Sequence, residues 1–157
     1  GSDVLREINQ KLGRILPTGM FCCAAMIQAD FHVNQLQIWN GGLPDGVLLR
    51  KDGARETIVS RHLPLGVLGS ARFDASMDVF HTLPGDTLLM MTDGVMEAEN
   101  HRGEMYGEQR LVESLDEMDR QDSPFETIMA GIRTFTGNQP EQDDLTLITL
   151  RMVEEAE

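Results

Sequence analysis

The chain has 157 residues, enough for one domain with a sizeable core and too few for two comfortable ones. Its 26 acidic side chains against 13 basic ones give a net charge of −13, which argues against a general nucleic-acid binder, because phosphate contacts need Lys and Arg. No apolar run approaches the roughly 20 residues of a membrane helix and no signal peptide is visible, so the expected location is the cytoplasm.

In chain order, Gly1-Ser2 reads as a cloning remnant ahead of an excised domain. "SDVLREINQKLGRIL" spaces Val4, Leu5, Ile8, Leu12 and Ile15 as one face of a helix that ends near Pro17. "MFCCAAMIQAD" predicts a fully buried strand and "NQLQIWN" a half-buried one, joined by a short polar turn. Cys22 and Cys23 stand side by side in the first of these and are expected as buried, reduced thiols, with no spacing that suggests zinc. "GVLLRKDGARETIVS" places Asp52-Gly53 between two apolar stretches, a hairpin signal. "MDVFHTL" alternates Met77, Val79, His81 and Leu83. Pro84-Gly85-Asp86 then turns the chain into "TLLMM", and so short a connection predicts antiparallel pairing between the two strands.

"GEQRLVESLDEM" repeats Leu111, Leu115 and Met118 on one helical face. "SPFETIMAGIRTF" sets Ser123 at an N-cap, Pro124 at the first helical position and Glu126 at the third, a capping box. "LTLITLR" is the last strand. Hairpin-linked strands with segregated helices predict a single α+β domain of stacked antiparallel layers rather than a doubly wound sheet.

Two spots carry chemistry. In "GDTLLMMTDGVMEA" an apolar strand stops at Thr92-Asp93-Gly94, and in "EQDDLTLITLR" Asp143 and Asp144 stand just before another. If these strands are antiparallel neighbours, Asp93 and Asp143 converge, and paired carboxylates repel unless a hard divalent cation relieves them. Gly94 would let the chain turn sharply and a ligand approach the backbone. The plainer alternative is an ordinary turn at Asp93-Gly94 and a polar strand start at Asp143-Asp144. His62 and His101 fall in polar loops and His81 on a strand; none has a partner at useful spacing.

Taken together, "INQKLGRILPTGMFCCAAMI", "WNGGLPDGVLLR", "LPLGVLG", "GDTLLMMTDGVMEAENHRGEMYGEQRL" and "QDDLTLITLR" resemble, in order and spacing, the metal-dependent protein serine/threonine phosphatases of type 2C. The similarity is to the bacterial branch that includes the sporulation stage II phosphatase and stress sigma-factor regulators. It implies an α+β antiparallel β-sandwich flanked by helices, with two Mn²⁺ or Mg²⁺ ions at one end. Asp93 and Asp143 match metal ligands of that family, with Gly94 and Asp144 in support.

The implied activity is hydrolysis of phosphoserine or phosphothreonine on a regulatory protein of the anti-sigma-factor-antagonist type. An upstream receiver or sensor domain in the same polypeptide, no nucleic acid and no membrane complete the implied picture. Two departures stand out. The family's Asp-x-x-Gly-His-Gly segment has no match in these 157 residues, so the chain by itself is expected to hold metal weakly and to turn over little phosphate. The family's Asn-Ala-Gly-His-Pro is here Asn40-Gly41-Gly42-Leu43-Pro44. These departures keep a rival in play: a phosphatase-like module that binds a sigma-factor regulator without turnover.

Overall fold

The structure, a computed structural model, describes residues 1–118, 123–137 and 144–153. The chain divides into two compact units: Gly1–Asp45 with Thr57–Pro84, and Gly46–Glu56 with the described residues from Gly85 on. Both follow the expected α+β pattern, antiparallel strands with helices.

The first unit opens with helix α1 (Ser2–Ile15), whose apolar spacing turns Leu5 into the core; the helix stops at Leu16, which is extended because Pro17 follows it. Asn9 is buried on the same face and fully used: its Nδ2 donates to the Leu68 carbonyl at 2.9 Å and its Oδ1 accepts from the Gly66 N–H at 2.8 Å. A buried amide with both ends satisfied fixes the loop against the helix. Strands β1 (Ala24–Asp30) and β2 (Gln35–Gly41) pair as a hairpin whose turn puts Asn34 at φ 50°. Beyond β2 lies β5 (Asp78–His81), with Leu36 opposite Phe80.

Three expectations change here. Strand β1 is half-buried rather than fully buried, because it is an edge of its three-stranded sheet among the described residues; Cys23 is exposed and Cys22 half-buried, neither in a disulfide. In β5 the buried residue is Phe80, while Val79 is exposed, because pairing with β2 sets the aromatic ring opposite Leu36. His62 is not a solvated loop residue.

The His62 side chain is 6% exposed and lies face to face with Trp39, ring centroids 5.2 Å apart. Trp39, itself buried among Leu5, Leu65 and Ala75, donates its indole N–H to the Asp74 carbonyl at 3.0 Å. His62 Nε2 is buried without a hydrogen-bond partner among the described residues. Burial pushes the imidazole below its ordinary value, outweighing the Asp74 carboxylate 3.8 Å from Nδ1. A histidine with a depressed folded pKa takes up its proton more readily in the unfolded chain. Its contribution to stability is therefore present above the unfolded value of about 6.5 and is lost as pH falls below it. The urea midpoint of the first unit is expected to drop between about pH 7 and 5, and His62→Phe, which keeps a ring against Trp39, should flatten that slope. An unchanged slope in the variant would assign the acid sensitivity elsewhere.

In the second unit, β3 (Gly46–Leu49) leads through Asp52-Gly53 to β4 (Arg55–Ile58), which begins in this unit and ends in the first, the hairpin the sequence predicts. Gly53, at φ 94°, donates its N–H to the Arg50 carbonyl, and the Arg50 N–H returns to Ala54 at 2.8 Å. Strand β6 (Thr87–Met91) runs between β3 and β7 (Leu147–Arg151), buried at all five positions. Strands β5 and β6 are therefore in different sheets, against the expectation that the short Pro84–Asp86 turn makes them partners. Their separation has a cause in Asp86. Its carboxylate, 2% exposed, accepts from the Lys51 N–H at 3.0 Å and from Arg50 Nη1 at 2.9 Å, committing the chain after the turn to the β3 side.

A four-residue helix, α2 (Gly94–Glu97), follows β6, then α3 (Gly107–Glu117) and α4 (Pro124–Thr136). The cap of α4 is as expected, Ser123 Oγ accepting from the Glu126 N–H. Leu111, Leu115, Ile128 and Ile132 bury against Leu89, Met91 and Leu147. Gly131 lies against the Tyr106 hydroxyl, which is hydrogen-bonded to Ser114 Oγ at 2.7 Å. A Cβ at Gly131 would come within 2.6 Å of that oxygen, so glycine there lets α4 approach closely.

Candidate functional site

Antiparallel register sets the site's position. Met91 at the end of β6 faces Leu147 at the start of β7, so the residues after one strand lie beside those before the other. The join continues past the strands: the Thr92 N–H donates to the Thr146 carbonyl at 3.0 Å, and the Thr146 N–H to Thr92 Oγ1 at 2.9 Å. Next along, Gly94 lies against the Asp144 backbone. A Cβ on Gly94 would be 2.6 Å from the Asp144 carbonyl oxygen, a backbone atom that cannot swing aside. Glycine is required here by close approach, as the sequence reading anticipates, though the neighbour is the chain itself.

Asp93 sits at the tip of this join. It caps α2: Oδ1 accepts from the Gly94 N–H at 3.1 Å, and its main-chain carbonyl accepts from Met96 at 2.8 Å and Glu97 at 2.9 Å. The side chain is exposed rather than buried, and Oδ2 has no protein partner among the described residues. The carboxylate is thus fixed at its base and open at its far oxygen. The turn reading and the ligand reading, posed as alternatives by the sequence, are compatible in this geometry.

Of the residues predicted to join Asp93, Gly94 and Asp144 are beside it, Asp144 exposed and contributing its carbonyl to the contact with Gly94. Asp143 lies outside the described residues. Among the described residues no group of three His, Cys, Asp or Glu could hold a metal ion. A hard divalent cation takes six or more oxygen ligands, and an open carboxylate such as Asp93 suits it. These residues fit such an ion as one part of a ligand set, not as the whole of it. Sequence reasoning missed helix α2, whose four residues are too few for a periodic signal, and the role of Asp86 at the other end of β6.

The family model for stage II sporulation protein E (SpoIIE) matches residues 1–153. No curated protein sequence matches the chain. Among solved structures, the SiaA-PP2C domain of Pseudomonas aeruginosa is similar at TM-score 0.79 and 19% identity, covering 96% of this chain and 60% of that one. The phosphatase domain of SpoIIE from Bacillus subtilis, presoaked with Mn, is similar at TM-score 0.66 and 15% identity, over 99% of this chain and 75% of that one. RsbX in complex with magnesium is similar at TM-score 0.63 and 16% identity, over 94% and 62%. The chain thus spans 60% of the length of the first of these relatives and 62% of the last. At these identities the likeness is one of fold: antiparallel sheets and helices in the arrangement of PP2C phosphatase domains. With nearly its whole length matched by the family model, the chain belongs to the stage II sporulation protein E family.

Proposed function

We propose that this chain is part of a metal-dependent protein serine/threonine phosphatase of bacterial signalling, acting on a phosphorylated regulatory protein of the anti-sigma-factor-antagonist type. The observation that carries the reading is Asp93: an exposed carboxylate at the end of β6, braced by the start of α2 and by the Gly94–Asp144 contact. A carboxylate serving only as a cap needs no such close join to a second strand. Support comes from family membership and from two structural relatives, one presoaked with Mn and one in complex with magnesium.

In this proposal Asp93, Asp143 and the rest of the family's ligand set hold Mn²⁺ or Mg²⁺, with Asp144 in support. Such ions, when bound, supply Lewis acidity and an activated water at neutral pH. The chain's own part is positional. Thr92 and Thr146 lock the ends of β6 and β7 together, Gly94 permits their approach, and Asp93 is exposed with one carboxylate oxygen unused among the described residues. An upstream receiver or sensor domain and a cytoplasmic setting belong to the same proposal; among the described residues no helix is long and apolar enough to cross a membrane.

The test is release of inorganic phosphate from a phosphoserine-bearing anti-sigma-factor antagonist by the full-length protein. Release is expected with Mn²⁺, stops with EDTA and returns when Mn²⁺ is restored. Release that persists in EDTA overturns the metal-dependent reading. Stoichiometric binding of the phosphoprotein with no release in any metal establishes the binding module instead.

A further inference from the structure

At the end of β6 remote from Asp93, the second unit holds a cleft of ≈ 540 Å³. It opens beside Thr87 and Arg151, which pair across β6 and β7, whereas Asp93 lies past the Met91–Leu147 end of the same two strands. Ligand cavities of small molecules commonly span about 300–1,000 Å³. What distinguishes this cleft is its charge. Arg50, Lys51, Arg55 and Arg151 all line it, four of the 13 basic side chains of a protein whose net charge is −13.

Three of the cations are held in place. Asp86 and Glu56 grip the Arg50 guanidinium, and Asp116 holds Arg55 at 2.8 Å. The Lys51 stem lies over Gly85, where a Cβ would come within 2.9 Å of Lys51 Cδ. Three carboxylates answer two arginines, while Lys51 and Arg151 have no ion pair among the described residues. Arginine carries five N–H donors in a fixed fork, so paired arginines can still donate to a second oxyanion. An apolar part of the lining is formed by Leu49, Leu115, Met118 and Pro124.

We propose that this cleft binds a phosphorylated small molecule of the nucleotide class, its phosphates on Lys51, Arg151 and the two braced arginines and its base against the apolar wall. Cations fixed in advance lower the ordering cost of gripping a polyanion, and the wall gives a planar group a place to stack. A cleft whose arginines serve only to hold the β3–β4 hairpin would have no use for two further cations that form no ion pair among the described residues. The proposal is independent of the phosphatase reading, because no residue of the cleft is near Asp93 along the strands.

The probe is ATP, titrated calorimetrically into the protein in EDTA, so that nothing can be bridged through a cation at the Asp93 end; inorganic pyrophosphate is the comparison. Saturable binding of ATP is expected, weakened about tenfold by Lys51→Glu and again by Arg151→Glu, since a charge-assisted hydrogen bond carries that much. Both side chains are exposed, and unchanged melting of the variants checks that the fold is kept. Asp93→Asn should leave ATP binding intact. Failure of ATP to saturate, or binding that neither charge reversal weakens, overturns the site. Equal affinity for pyrophosphate and ATP overturns the nucleotide assignment.

Discussion

Asp93→Asn should lower metal-dependent phosphate release by the full-length protein about 100-fold or more while leaving its stability nearly unchanged. The two effects separate because, on the proposed reading, the side chain does two things with different atoms. As a cap it accepts the Gly94 N–H through Oδ1, and an asparagine oxygen does this as well as an aspartate, so the change in stability should stay within about 0.5 kcal/mol. As a ligand it offers negative charge through an open oxygen, which the amide withdraws. The measurement is phosphate release in Mn²⁺ alongside melting in EDTA. Turnover equal to wild type would reduce Asp93 to its capping role.

The second large effect concerns folding. Asp86→Ala should destabilise the second unit by about 2–4 kcal/mol, removing a buried carboxylate from a guanidinium and a main-chain N–H at once. The figure stays below that for a fully buried pair because Arg50 is 25% exposed and keeps Glu56, so water and a second carboxylate cover part of the loss. Asp86→Asn, which can still accept the Lys51 N–H, should cost about half as much. Urea midpoints of the two variants check the order. Equal losses would mean that the charge on Asp86 does nothing beyond accepting a hydrogen bond.

Local signals in the sequence proved dependable. The periodic face of α1, the Asp52-Gly53 hairpin and the Ser123-Pro124-Glu126 cap each rest on contacts within a few residues, and each stands as expected. The antiparallel pairing of β6 with β7 was also legible, because an apolar strand ending in a carboxylate and another beginning with one suggest such neighbours. What failed depended on distant partners. Asp86 follows Pro-Gly and looks like any turn carboxylate; its partners are 35 and 36 residues back, and nothing nearby announces them. The same long-range pair commits β6 to β3 as its strand partner, so a rule about short connections misled. His62 looked solvated because it follows Ser60-Arg61 in a stretch with no periodic signal, while the ring that covers it belongs to Trp39.

Trp39 is the sole tryptophan of the chain and Tyr106 the sole tyrosine, one in the first unit and one in the second. Both are buried. Each unit consequently carries its own optical reporter: indole emission follows the first as it unfolds, and the near-ultraviolet tyrosine signal follows the second. The stacked imidazole adds a further property, since a protonated His62 would quench the indole it touches. Whether the units lose structure in one transition or two is therefore readable in a single unlabelled sample, without any engineered probe.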